Sequence, residues 1–465
     1  MKARVLRTEL RRSAAPWGGI VVLAGSLAIL LPNDGIWNQG TAGWTAQWTS
    51  MAMWTRYLLG FWWPLVVGLG AAYGLRDSRS RMGELLGTTP RPAWHRAALP
   101  AGATAAALAA GFGLLVLVGA TGVALGGTDY TPPGWLPISL VAVLGLVAGA
   151  VLGMGVARAL PSVLTPPALV VLCLAVVSML RVSTSDALPS GRGSNRLTLL
   201  SPVAAEPREM LLTLSASVHL GQTLWLLGLL ATGFALLTAA TRRARLLALL
   251  PVLAGAALAM AVLPADPRDT YVVDRAAAAP VCDGPVCVAR ANRSHLPELA
   301  ARGREALSVL HDALGDAAPT SVREDTGLRD LGEPRPLTAD TVLVDFDENL
   351  FADASGRKLT RALVAQGLAP NCHARNGRES GIVESVALQS VAASWALGDP
   401  LLQPLEDRDT DVYARAAWTQ ADTLWQKLTA APPAEQHALI DRLHAAALSC
   451  AGGDPLTEPA GGTPR

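Results

Sequence analysis

The side chains of this chain that could bind a metal, form a cross-link or carry a proton are few, and most lie in its second half. Four of the five cysteines, Cys282, Cys287, Cys372 and Cys450, follow Leu263, and Cys173 sits within an apolar run. Asp345, Asp347, Glu348 and Asp353 follow the strand-like run Thr341-Val342-Leu343-Val344. A calcium loop would need a glycine at its middle and a glutamate at its end in register. Neither is present, so a solvated acidic loop is expected. His437 and His444 could share a helical face; His295, His311 and His373 are scattered, and no metal site is expected. No His-Glu-x-x-His or Gly-x-Ser-x-Gly occurs, which leaves zinc-peptidase and serine-hydrolase chemistry without their usual residues. A phosphate-binding loop needs Gly-Lys followed by Ser or Thr. The only lysines are Lys2, Lys358 and Lys427, and none follows a glycine. Any ATP-driven role therefore needs a second subunit.

Those residues belong to a chain that is two chemically different objects. Of 465 residues, 51% are apolar and 16% charged, against roughly a quarter charged in soluble domains. The net charge of +1 conceals an asymmetry. Residues 1–263 hold 19 Lys+Arg against 8 Asp+Glu, and residues 264–465 hold 19 against 29. A basic excess set beside apolar runs, followed by an acidic domain, does not suggest nucleic-acid binding.

About 20 helical residues cross a hydrocarbon core of about 30 Å. Seven runs of that order are expected near 16–32, 54–75, 98–125, 135–157, 163–180, 218–240 and 246–263. The first is preceded by basic residues but followed by no cleavage site, and reads as a retained helix. Arg56 and His219 fall at expected span ends, where snorkelling would accommodate them. Gly149, Gly153 and Gly155 would let the fourth span approach its neighbours closely. The tryptophan-rich stretch Pro32–Met53, with Trp37, Trp44 and Trp48, suggests a short helix at the outer interface. Residues 181–217 suggest an external segment with a partly inserted or surface helix, through Met210–Leu214, before the sixth span.

Lys and Arg are retained on the cytoplasmic side. Arginines cluster before the first span, after the second (Arg76, Arg79, Arg81, Arg91, Arg96) and after the sixth (Arg242, Arg243, Arg245). These regions are expected inside, which places the C-terminal domain outside. Its even number of cysteines suits an oxidising compartment. Cys282 and Cys287 flank the turn sequence Asp283-Gly284-Pro285, so the expected pairs are Cys282 with Cys287 and Cys372 with Cys450. The domain over 264–450 reads as α+β. Strands are expected at Tyr271–Asp274, Val286–Ala289 and Thr341–Asp345, with helices at 296–314, 357–368, 381–397, 411–430 and 433–448. Residues 451–465 are Gly/Pro-rich and expected to be disordered.

Within the expected cytoplasmic loop 76–97 lies Arg79-Ser80-Arg81-Met82-Gly83-Glu84-Leu85-Leu86-Gly87-Thr88-Thr89-Pro90-Arg91-Pro92. Glu84, Leu85 and Leu86 can begin a short amphipathic helix, Pro90 and Pro92 end it, and the arginines hold it at an anionic leaflet. This loop resembles the one after the second span of type-2 ABC exporter permeases, in an actinobacterial variety with a large C-terminal portion outside the membrane. The resemblance covers roughly residues 1–241, and only the loop is motif-like. It implies that Arg81, Gly83, Glu84, Leu85, Leu86 and Pro90 form a coupling helix docking on a cytoplasmic ATPase subunit. The basic segment 1–15, with Arg4, Arg7 and Arg11 on one helical face, would be a second contact.

The chain thus reads as a polytopic α-helical membrane protein of about seven transmembrane helices, N-terminus inside, with an extracytoplasmic α+β domain. The function expected is that of the permease subunit of an ABC exporter. It would bind no cofactor itself, ATP and Mg residing on the partner ATPase, with a second permease subunit and membrane lipids as further partners. Spans almost free of ionisable groups favour an apolar or amphipathic cargo over ion coupling. The alternative is a non-transporting sensor or scaffold acting through its external domain. An anchored enzyme lacks a catalytic set.

Overall fold

The computed structural model describes residues 15–32, 37, 43–76, 92–126, 130–182, 196–203, 211–266, 269–327, 335–346, 348–352, 354–371, 379–405 and 412–449. The chain divides into two compact units, Met1–Val272 and Val273–Arg465.

The first unit contains helices α1 (Ala15–Leu30), α2 (Trp48–Tyr57), α3 (Leu59–Gly74), α4 (Ala93–Leu125), α5 (Trp135–Ala159), α6 (Thr165–Val182), α7 (Ala216–Thr238), α8 (Arg242–Leu247) and α9 (Leu250–Val262). Four helical segments are long and apolar enough to cross a membrane: α4, α5, α7 and α8 continued by α9. The pair α2 and α3, bent by 47°, makes a fifth if counted as one span. α1 and α6 are shorter apolar helices. The chain is therefore built as a polytopic helical membrane protein.

Lipid tails are as apolar as leucine, so helices here associate by close packing rather than by escape from water. Glycine supplies the closeness. A Cβ on Gly70 of α3 would strike the Ala150 backbone of α5, and one on Gly153 of α5 would strike Val67 O of α3. Gly155 of α5 and Gly233 of α7 meet backbone to backbone. These contacts also give helix directions. Leu59 lies by Gly145 and Gly74 by Met154, so α3 and α5 run parallel; Gly228 meets Pro251 and Gly221 meets Leu263, so α7 and α9 run antiparallel.

The second expected span, 54–75, is broken at Leu58. Thr55 Oγ1 donates back to Met51 O and Ala52 O, both at 3.0 Å, a competing bond that bends helices, and Pro64 removes a donor within α3. Two further expectations are corrected. Trp44, expected at the outer interface, is 3% exposed and packed among protein side chains, and Trp48 lies against Trp135 at a ring-centroid distance of 5.5 Å. The exposed tryptophans are Trp17 and Trp94, 67% and 55% exposed, at the starts of α1 and α4. The expected helix through Met210–Leu214 is, in its described part, a strand: β1 (Leu212–Leu214) pairs with β2 (Tyr271–Val273). Alternating Leu-Thr-Leu suits a two-residue period, and Ser215 N–H donates to Thr270 O.

The second unit has a four-stranded sheet in the order β3 (Pro280–Asp283), β4 (Val286–Ala289), β5 (Ser321–Glu324), β6 (Thr341–Val344). β3 and β4 form an antiparallel hairpin, while β4, β5 and β6 are parallel. Parallel neighbours require a crossover, supplied between β4 and β5 by α10 (Leu296–Leu314). Helices α11 (Asn349–Ala352), α12 (Gly356–Leu368), α13 (Glu379–Ala396), α14 (Val412–Ala430) and α15 (Pro433–Leu448) follow. Val286, Val288, Val322, Val342 and Val344 share a core with Leu299 and Leu310 of α10 and Leu363 of α12. A Cβ on Gly303 would come within 2.8 Å of Val286, so this glycine sets how closely α10 lies on the sheet.

Gly233→Leu would place a branched side chain against the backbone of α5 at Val151–Leu152. Overpacking costs typically about 1–3 kcal/mol where side chains can shift, and more where backbone must. The full chain purified in detergent should show a lowered thermal midpoint, while Gly102→Leu, whose site is open, should not.

Candidate functional site

Three buried polar constellations stand out among the described residues. The first lies in the membrane unit at the end of α2. Arg56 is fully buried. Its Nε donates to Pro202 O at 3.1 Å and its Nη2 to Gln222 Oε1 of α7 at 2.5 Å. Gln222 Nε2 donates in turn to Leu199 O at 2.9 Å and Ser201 O at 3.2 Å. Two side chains thus satisfy three carbonyls of one strap, residues 196–203, which carries a single 3-10 turn at Thr198–Leu200. The strap dips inward: Pro202 packs by Gly145, ten residues into α5, which is about 15 Å of helical rise. Irregular backbone at membrane depth is tolerated only where it is enclosed in protein or lines water. The expectation that Arg56 snorkels is therefore corrected, because its partners are internal carbonyls. His219, one turn before Gln222, also turns inward: its Nδ1 is buried and has no partner.

The second constellation surrounds Arg335, whose side chain is 4% exposed. Its Nε lies 3.0 Å from Asp325 Oδ2, and its Nη2 lies 3.1 Å from Asp345 Oδ2 and 2.7 Å from Glu348 Oε1. Burial alone would lower the guanidinium pKa, but these three carboxylates hold it above its ordinary value. Asp345 and Glu348 are thus ligands of an arginine, and the expected solvated loop is corrected for these two; Asp347 and Asp353 lie outside the described residues. Beside them His295 stacks on Phe346 at 4.9 Å, and burial pushes its pKa below the usual histidine value, partly offset by Glu298.

The third lies between α12, α13 and α15. Gln389 Nε2 donates to Gln366 Oε1 and Ala369 O, each at 3.0 Å, and His444 Nδ1 donates to Leu368 O at 3.1 Å. His437 does not share that environment, lying edge-on to Trp395. Among the described residues no three His, Cys, Asp or Glu converge as metal ligands.

Cys282 and Cys287 form the expected disulfide, as directly opposed residues of the β3–β4 hairpin, with Gly284 in the left-handed region at φ 61°. Cys173 is free and half-buried. Cys372 and Cys450 lie outside the described residues, as do Arg81, Gly83, Glu84, Leu85, Leu86 and Pro90, expected to form a coupling helix, and the segment with Arg4, Arg7 and Arg11.

The flanks of the loop 76–97 are described. Tyr73 near the end of α3 and Ala97 and Ala101 at the start of α4 pack in one cluster with Met154 of α5 and Leu237 of α7. Arg245 Nη1 donates to Ala159 O at 3.0 Å. One end of the helix bundle therefore collects Arg76, Arg96, Arg158, Arg242, Arg243 and Arg245. Leu263, the last residue before the second half, lies instead by Gly221 near the start of α7, toward the opposite end. No family model, curated protein or solved structure matches this chain.

Sequence reasoning missed Arg335 and Gln222, the hubs of two of these networks. Arg335→Met would leave three carboxylates around a buried site without their cation. Breaking a buried pair from one side costs about 3–5 kcal/mol, so the second unit should melt well below wild type in the full chain by circular dichroism.

Proposed function

We propose that this chain is the membrane subunit of an ABC exporter, with seven crossings, the N-terminus in the cytoplasm and residues 264–450 outside. The observation that carries this reading is the gathering of both flanks of loop 76–92 with six arginines at one end of the bundle. Arginine retention makes that end cytoplasmic. Counting α1, the bent α2–α3 pair and α6 with the four longer spans gives seven crossings, and the parallel and antiparallel pairs fit that alternation. The seventh then delivers the second unit to the outside, in keeping with its disulfide.

On this reading the segment Arg81–Pro90 seats on a separate ATPase that holds ATP and Mg, and a second permease subunit completes the pore. Because α3, α4, α5 and α7 share one packed cluster at that end, a push on the loop reaches four helices together. The cargo is an apolar or amphipathic molecule. A second cystine, Cys372–Cys450, fits the same compartment: Pro370 and Leu448, each two residues before one of these cysteines, line one concavity. A sensor or scaffold role has no comparable observation in its favour.

Glu84→Arg with Leu85→Asp changes the charge and removes the apolar contact of the proposed coupling helix. The ATPase recovered when wild-type protein is isolated from native membranes should be lost with this double variant, while expression and membrane insertion persist. Recovery of no ATPase with wild-type protein, or undiminished recovery with the variant, would refute the reading.

A further inference from the structure

Arg56 meets one strap carbonyl, Pro202 O, and the side-chain oxygen of Gln222, and neither partner offsets its charge. Its Nη1 is buried and has no hydrogen-bond partner, and among the described residues no carboxylate forms an ion pair with it. A guanidinium carries five N–H donors, and a charge enclosed in apolar protein is expensive without a counter-charge. Groups with the chemistry of an anion site lie close by. His219 stands one helical turn before Gln222, the residue bonded to Arg56, with its Nδ1 buried and without a partner, and Tyr271 packs on the apolar cluster next to Arg56. Beside this polar corner Met53, Leu199 and Val218 belong to one apolar cluster.

We propose that Arg56, His219 and Tyr271 bind the anionic headgroup of an amphipathic molecule, a phosphate or carboxylate carrying a hydrocarbon chain, with the strap 196–203 as the cover that parts to admit it. This deepens the export reading by naming the charge on the cargo, and so rests on it for the word cargo, but binding requires no ATPase. Among the described residues the strap, with its single 3-10 turn at Thr198–Leu200, supplies the backbone carbonyl that Arg56 meets. It is held there by three hydrogen bonds to neutral carbonyls, one from Arg56 and two from Gln222, and an anion offering Arg56 a charge-assisted bidentate contact can outcompete the first. The same headgroup chemistry could come from a membrane phospholipid or from a diffusing amphiphile.

The full chain in phosphatidylcholine nanodiscs, titrated with dodecyl phosphate and followed by calorimetry, should bind saturably, with the zwitterionic dodecylphosphocholine at least about tenfold weaker. Competition by phosphatidylglycerol in the disc supports a lipid headgroup as the source; its absence supports a diffusing amphiphile. Arg56→Gln should abolish binding. Because that change also releases the strap and could unfold the protein, His219→Glu is the second variant. It places an internal carboxylate beside Arg56, and should keep or raise the thermal midpoint while weakening dodecyl phosphate at least about tenfold. Recovery of the ATPase should be unchanged in His219→Glu, which separates failure of this site from failure of the export reading. Equal binding of dodecylphosphocholine and dodecyl phosphate, or folded His219→Glu binding like wild type, would overturn the proposal and leave Arg56 a structural clamp.

Discussion

Hydrocarbon solvates neither an unpaired charge nor an open backbone, and the first 272 residues are arranged under that constraint. The six arginines flanking the packed helix ends stand together at one end of the bundle. Between the ends the helices offer each other glycine and alanine backbone, as where Gly155 meets Gly233. Where the chain does break regularity, at the strap 196–203, its carbonyls are met by the fully buried Arg56 and Gln222. That clamp secures the one described stretch of irregular backbone tucked against the interior of α5, and it introduces the one arginine enclosed there.

The second unit solves a different problem, one of water rather than lipid. Its sheet is covered by α10 and α12 through valines and leucines, and its polar interior is organised by Arg335 among three carboxylates. Arg335 closes the chain between β5 and β6 by drawing Asp325, at the end of one strand, to Asp345, at the end of the next. Glu324 does similar work beside it, accepting from Ala289 N and Asn292 Nδ2 at 2.7 Å each. The hairpin disulfide adds a covalent tie at the edge of the same sheet.

Elements with strong periodicity could be read from the residues alone. Leu299, Ala306, Leu310 and Leu314 mark one face of α10, and its bounds agree with the spacing. Val286–Ala289 and the apolar run from Thr341 are likewise strands. β5 was not legible, because only Val322 of its four residues is buried. Nor was the role of Arg56, whose partners lie 146 and 166 positions away; an arginine at a span end has the same local sequence whether it snorkels or is clamped. Trp44, before α2, misled for the same reason: composition suggests an interface, while tertiary packing places its side chain inside. The segment Arg79–Pro92 shows the reverse case. Its residue pattern is the most informative in the chain, yet only its flanks are described.

The account depends on the two ends of the bundle facing opposite compartments. Side-specific labelling with a membrane-impermeant maleimide tests this most directly, using Ser80→Cys in the loop and Ser308→Cys in the second unit. In intact cells Ser308→Cys should react and Ser80→Cys should not, until the membrane is permeabilised. Labelling of Ser80→Cys in intact cells, or both positions on the same side, would contradict the account.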